Sequence, residues 1–110
     1  MDPLTDQACV PCEGGVAPLT RTEAQKLLSK APEWILSDDG TSISREFTFK
    51  DFLAAMQFVG YVADLAEFEG HHPDIHISYN KVRLELTTHA IKGLSKNDFI
   101  LATKINTLPV

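Results

Sequence analysis

From Thr20 onward, apolar residues recur first at helical steps of three and four, then at strand steps of two, and the two rhythms alternate along the chain. Thr20-Arg21-Thr22-Glu23 has the form of a capping box, in which a hydroxyl and a carboxylate each satisfy a free N–H of the first helical turn. The helix it predicts carries Ala24, Leu27 and Leu28 on one face and stops before Pro32, because the residue preceding proline is pushed out of helical geometry. A strand begins at Trp34-Ile35-Leu36 and turns at Ser37-Asp38-Asp39-Gly40, where Asp-Gly accepts the positive φ of a tight turn. The return strand sets Ile43, Arg45, Phe47 and Phe49 against Ser42, Ser44, Glu46 and Thr48.

Residues from Asp51 to about Glu69 predict the longest helix, with an apolar stripe of Phe52, Met56, Val59, Ala63 and Ala66. Leu53, Phe58, Val62 and Leu65 add apolar surface beyond that stripe, more than a domain of this size can cover, so burial against another subunit is expected. Gly70 ends the helix and Pro73 prevents its resumption. In a second hairpin, Ile75, Ile77 and Tyr79 alternate with His76 and Ser78, Asn80-Lys81 makes the turn, and Val82, Leu84 and Leu86 alternate with Arg83, Glu85 and Thr87. His89 falls in that last, polar series. Ser95, paired with Asp98 in a second capping box, opens a final helix whose buried face is Phe99, Ile100, Ala102, Thr103 and Ile105. This order predicts an α+β fold: a four-stranded antiparallel sheet made of two hairpins, with three helices packed on one face. Residues 1–19 are expected to form a flexible leader and residues 20–110 a single domain.

Charge narrows the partners. A net charge of -5 over 110 residues argues against binding nucleic acid through a basic surface. No apolar run approaches the roughly 20 residues that span a bilayer, and no basic segment followed by an apolar stretch opens the chain. A cytoplasmic protein bound to neither membrane nor nucleic acid is expected. Cys9 and Cys12 form a lone Cys-x-x-Cys without the second ligand pair or the βαβ setting that a zinc or redox site needs, so reduced thiols in the leader are expected.

The chemistry concentrates in the histidines. His71, His72, His76 and His89 are the only four, all in one short stretch beside several carboxylates. Imidazole exchanges protons near neutral pH, so such a cluster suggests proton transfer or metal binding. Glu67 and His71 are four residues apart and would share a side of the long helix if it reached that far. His76 points to the solvent face by strand parity, whereas His89 ends a strand beside a loop, where sites are commonly built. Asp98 reads equally as a cap partner of Ser95 and as a site residue. Glu67, His71, His72 and His89 could ligate zinc, but the only His-x-x-x-His pair, His72 and His76, is split by Pro73.

Glu67-x-x-x-His71-His72-Pro73, Tyr79-Asn80-Lys81-Val82, Thr88-His89 and Gly93-Leu94-Ser95-x-x-Asp98, in this order and spacing, resemble the pterin-4a-carbinolamine dehydratases from about Leu19 to Thr107. The resemblance implies dehydration of 4a-hydroxytetrahydropterin to quinonoid dihydropterin, with no metal or organic cofactor. That reaction recycles the pterin product of aromatic amino acid hydroxylation and so links functionally to phenylalanine hydroxylase. It implies His71, His72 and His89 as catalytic residues, Glu67 and Asp98 as supporting acids, and pterin contacts from the backbone near Ser78 and Thr88. It also implies homodimers joined through sheet edges, or homotetramers paired through helices. Elimination of the 4a-hydroxyl needs an acid for the leaving oxygen and a base for a ring nitrogen proton, which imidazoles can supply. On that basis His71 and His89 are expected to flank C4a, His72 to orient the pterin, Glu67 to fix an imidazole tautomer and Asp98 to stabilise protonated His89. The competing readings are a non-enzymatic dimerisation module, since animal relatives act as transcriptional coactivators, and a metal-dependent hydrolase.

Overall fold

A computed structural model of the chain describes residues 4–9 and 17–109. It contains α1 (Arg21–Leu28), β1 (Ile35–Leu36), β2 (Ile43–Thr48), α2 (Phe52–Glu69), β3 (Asp74–Ser78), β4 (Lys81–Leu86) and α3 (Lys96–Ile105), preceded by a 3-10 turn at Leu4–Asp6. The four strands form one antiparallel sheet in the order β1-β2-β4-β3. The α+β architecture expected from the alternating periods is the one observed.

Strand parity places the core. Val82, Leu84 and Leu86 of β4 and Ile43 and Phe47 of β2 are buried against the helices, where they meet Ala24, Phe58, Val62, Phe99 and Leu101. Each large side chain so buried contributes about 1.5–3 kcal/mol of transfer free energy. Phe47, Phe49 and Phe58 form an aromatic group, with ring centroids 4.6 Å apart between Phe47 and Phe58 and 5.1 Å between Phe49 and Phe58. Arg45 shares the inward parity yet stays satisfied. Its guanidinium lies 4.2 Å from the Phe47 centroid and donates to Asn106 Oδ1 at 2.6 Å, an oxygen that also accepts the Trp34 indole N–H at 2.8 Å.

Both capped helix starts are present. Thr20 Oγ1 accepts the Glu23 N–H, and Glu23 Oε1 accepts the Thr20 N–H. Asp98 Oδ2 accepts the Ser95 N–H at 3.0 Å. The long helix starts behind an unforeseen cap, Asp51, whose carboxylate accepts the Ala54 N–H.

Three sequence expectations need correction. The buried stripe of α2 is Ala55, Phe58, Val62, Ala66 and Glu69, whereas Phe52, Met56 and Ala63 are exposed. The helix is apolar nearly all round, so periodicity could not set its phase; the Phe58 contacts with β2 do. The second hairpin turns at Tyr79-Asn80, one residue early, with Tyr79 at φ 52°. Asn80 is held at the end of β2, accepting the Phe49 N–H and donating to the Phe49 carbonyl. Finally, the described part of the leader is docked: Leu4 is buried in the core, and Cys9 contacts α2 and α3. Cys12 lies outside the described residues.

Candidate active site

The pairing of β3 with β4 decides at which end of the sheet His71, His72 and His89 lie. Asp74, at the start of β3, lies opposite Glu85 near the end of β4. The loop before β3 and the chain after β4 therefore leave the sheet at the same end. The first carries His71 and His72, and the second carries Thr88 and His89, the latter opening a 3-10 turn at His89–Ile91. α3 follows at once, with Asp98 in its first turn.

Gly70 at the end of α2 determines which carboxylate each histidine meets. With φ 67° it takes the left-handed conformation that costs glycine least, and the chain leaves the helix there. The His71 N–H still bonds back to the Ala66 carbonyl, but its side chain turns inward, and Nε2 lies 2.6 Å from Asp98 Oδ1. Glu67 is therefore not the partner of His71. It sits 3.6 Å from Nε2 of His72 instead, with both side chains mostly exposed, a geometry that contributes about 0–1 kcal/mol.

Asp98 has no exposed surface, and three donors surround it. Oδ1 faces His71, while Oδ2 accepts the Thr88 hydroxyl at 2.8 Å and the Ser95 N–H. The single Thr88 hydroxyl hydrogen is committed to Asp98, so Ser95 Oγ–H is the donor in the 2.8 Å contact between Ser95 and Thr88. The hydrogen-bond chain then runs from Ser95 to Thr88 to Asp98, with His71 donating from the other side. A carboxylate is an acceptor only, so Nε2 of His71 carries its hydrogen and Nδ1 is left as the free nitrogen. Nδ1 has no hydrogen-bond partner among the described residues, and the side chain remains 13% exposed.

The same network corrects the expectation for Asp98, which supports His71 and not His89. His89 is exposed, and no described side chain hydrogen-bonds to it. Thr88 is buried, and its main chain is already paired: the N–H donates to the Gly93 carbonyl, and the carbonyl accepts from Ile91. Its place is beneath Asp98, through the hydroxyl. Ser78 is exposed at the far end of β3, about 13 Å along the strand from Asp74, outside this constellation within one chain. His76 is exposed opposite Arg83, as its parity predicts.

Two titratable groups outside the expected site meet at the end of α2. Burial pushes the Glu69 carboxyl upward, but Lys104 Nζ at 2.7 Å and the Cys9 main-chain N–H at 2.9 Å outweigh it and hold it below the usual carboxylate range. Burial, reinforced by the Glu69 charge, pushes the Cys9 thiol up to about 12. Glu69 belongs to the α2 face that the sequence reading misphased, and no local motif marks its partner Lys104. Among the described residues, no three His, Cys, Asp or Glu side chains converge in a geometry that could hold a metal ion.

Known proteins share this arrangement of chain. A crystal structure from Brucella melitensis, described as a transcriptional coactivator/pterin dehydratase, matches with a TM-score of 0.76 and 36% identity over 81% of this chain and 95% of that one. A protein of Halorhodospira halophila, named "Putative pterin-4-alpha-carbinolamine dehydratase", is 49% identical over 105 residues, 96% of each chain. One of Chlorobaculum tepidum with the same name is 50% identical over 110 residues, 98% of this chain and 99% of that one. The family model described as Pterin 4 alpha carbinolamine dehydratase matches residues 17–108, a span that takes in every element from α1 to α3, and it is to this family that the chain belongs.

Proposed function

We propose that the protein dehydrates a 4a-hydroxytetrahydropterin to the quinonoid dihydropterin, with histidines as the acid and base. In that elimination the C4a–O bond breaks and the oxygen leaves as water with a proton from the acid. The lone pair of the adjacent ring nitrogen forms the new double bond, and the nitrogen's proton passes to the base. The observation that carries the reading is the 2.6 Å contact of His71 with the buried Asp98. A carboxylate on Nε2 leaves Nδ1 able to take a proton and stabilises the imidazolium that results, the arrangement a general base needs. We assign His71 as the base and His89, at the same end of the sheet, as the acid. His72, exposed beside them, orients the pterin, with Glu67 loosely paired to it.

The test follows the dehydration of chemically prepared 4a-hydroxytetrahydropterin by stopped absorbance in chelator-treated buffer. Wild type is expected to turn over well above the spontaneous rate, with His71→Ala and His89→Ala each lower by about 10²–10⁴-fold. Wild-type turnover at the spontaneous rate would overturn the proposal, and loss of turnover on chelation would overturn its metal-free form.

We further propose that the chain acts as a homo-oligomer. Phe52, Leu53 and Met56 stand exposed on the first turns of α2, and Phe68 is 85% exposed near its end. β3 is an edge strand with one free row of backbone groups, a template for pairing with a second copy. Sedimentation of wild type against Met56→Glu tests this, the variant being expected to dissociate further at equal concentration. A monomeric wild type would refute it.

A further inference from the structure

Glu69 is the last residue of α2, and its side chain is only 2% exposed. Burying a carboxylate is costly unless its partners are well placed, and nothing in the elimination chemistry calls for one here. Both oxygens are engaged: Oε2 accepts Lys104 Nζ, and Oε1 accepts the main-chain N–H of Cys9. The Cys9 thiol lies 3.5 Å from the carbonyl oxygen of Asn97, the residue before Asp98.

These contacts fall next to the His71–Asp98 pair along the chain, Glu69 two residues before His71 and Asn97 one before Asp98. Lys104 and Asp98 are six residues apart on α3, about 9 Å along its axis. The end of α2 is thus tied to α3 at two separated points, Glu69 to Lys104 and His71 to Asp98. One tie would leave a pivot, whereas two fix an orientation. Gly70, between them, has no neighbour within 4 Å of where a Cβ would stand, so Glu69 is the last side chain anchored before the imidazole. The leader completes the frame by joining Glu69 to the first turn of α3, with Leu4 packed into the core as its anchor.

We infer that Glu69, held by Lys104 and by the main chain of Cys9, is a positioning residue for His71, and that the segment from Leu4 to Cys9 is a strap that keeps Nε2 of His71 on Asp98. The catalytic consequence rests on the reading of His71 as base; the geometric one does not. Loosening the strap lets the α2 end swing, lengthens the His71–Asp98 hydrogen bond and misplaces Nδ1. An ångström of misplacement at a reacting group costs up to about 10²-fold in rate.

Three full-length variants separate this role from simple stability. Glu69→Gln removes the charge, Cys9→Pro deletes the N–H donor together with the thiol while leaving both members of the Glu69–Lys104 pair, and Cys9→Ser keeps that donor. In wild type and Cys9→Ser, proton NMR is expected to show a slowly exchanging imidazole N–H from His71. In Glu69→Gln and Cys9→Pro its exchange is expected to be about tenfold faster as the local opening becomes easier. Turnover in those two should fall about tenfold through kcat, with KM changed less than about twofold. Unchanged N–H exchange in folded Cys9→Pro overturns the inference, whether or not Glu69→Gln folds. A wild type with no dehydratase activity but the expected exchange pattern would sink the functional reading and leave the positioning role standing.

Discussion

His71 Nε2 and Asp98 Oδ1 lie 2.6 Å apart, and the acceptor of this pair has no exposed surface at all. A hydrogen bond to a buried carboxylate is shorter and stronger than one between neutral groups, and it holds a ring orientation that solvent would otherwise scramble. The other oxygen of Asp98 caps α3, so the residue serves the fold and the imidazole at once.

Asp98→Asn separates those duties. One of the three donors around the side chain would then face an NH2 group. We expect a loss of about 1–3 kcal/mol in urea unfolding, together with a fall of about 10²-fold in kcat. Thr88→Val is the milder companion. It removes one donor from Oδ2 and leaves His71 in contact, so its loss of activity should be the smaller of the two under the same stopped-absorbance assay.

Glu69 gives the fold an acid limit. Its carboxyl is held below the usual carboxylate range in the folded state. Between the folded value and the unfolded one near 4.3, the unfolded chain binds more protons, so stability falls as pH drops through that window. The contribution is fully present at neutral pH. Thermal melts of wild type between pH 7 and pH 3 are expected to decline below about pH 4.3, and those of Glu69→Gln to decline less steeply from a lower starting point. Parallel curves would count against it.

Cys9 should be a poor nucleophile. With its thiol pushed up to about 12, almost none is thiolate at neutral pH. In a Cys12→Ser background, alkylation by iodoacetamide is expected to run at least about tenfold slower than in the urea-unfolded chain. Raising the pH has the opposite sign to the Glu69 case: the folded state keeps a proton that the unfolded state loses above about 8.5, so stability declines through the alkaline range.

Gly70→Ala isolates a backbone effect. A Cβ there meets nothing within 4 Å, so the cost is that of holding φ at 67°, about 1–2 kcal/mol, and Gly70→Asn should cost less. Differential scanning calorimetry decides between the two. Equal losses for Ala and Asn would mean that steric crowding and not φ controls the site.

Much of this was readable before the structure. The capping boxes at Thr20 and Ser95, the alternation in Val82–Leu86 and the stop at Gly70 are local signals, and each produced the element it predicts. The histidines stand out in the sequence for the same reason, being dense in one stretch. What could not be read depends on distant partners. Asp98 looked like a partner for His89 because those residues are near in sequence, while His71 reaches it from 27 positions away. The phase of α2 was hidden by apolar residues on every side, and the docking of Leu4 depends on a surface made by α3. Arg45 sits at an inward position because Phe47 and Asn106 accommodate it, which no strand periodicity announces.

The capping contact between Ser95 and Asp98 has one further consequence. Successive residues of an α-helix are rotated by about 100° about its axis, so the first turn acts as an indexing stop for everything after it. Were α3 to start one residue earlier or later, Asp98 would swing away from His71 and Thr88 together. The alignment of Asp98 with His71 is therefore inherited from the point at which a helix begins. An insertion or deletion in the short Lys92–Ser95 connector would part Asp98 from His71 while leaving every histidine in place.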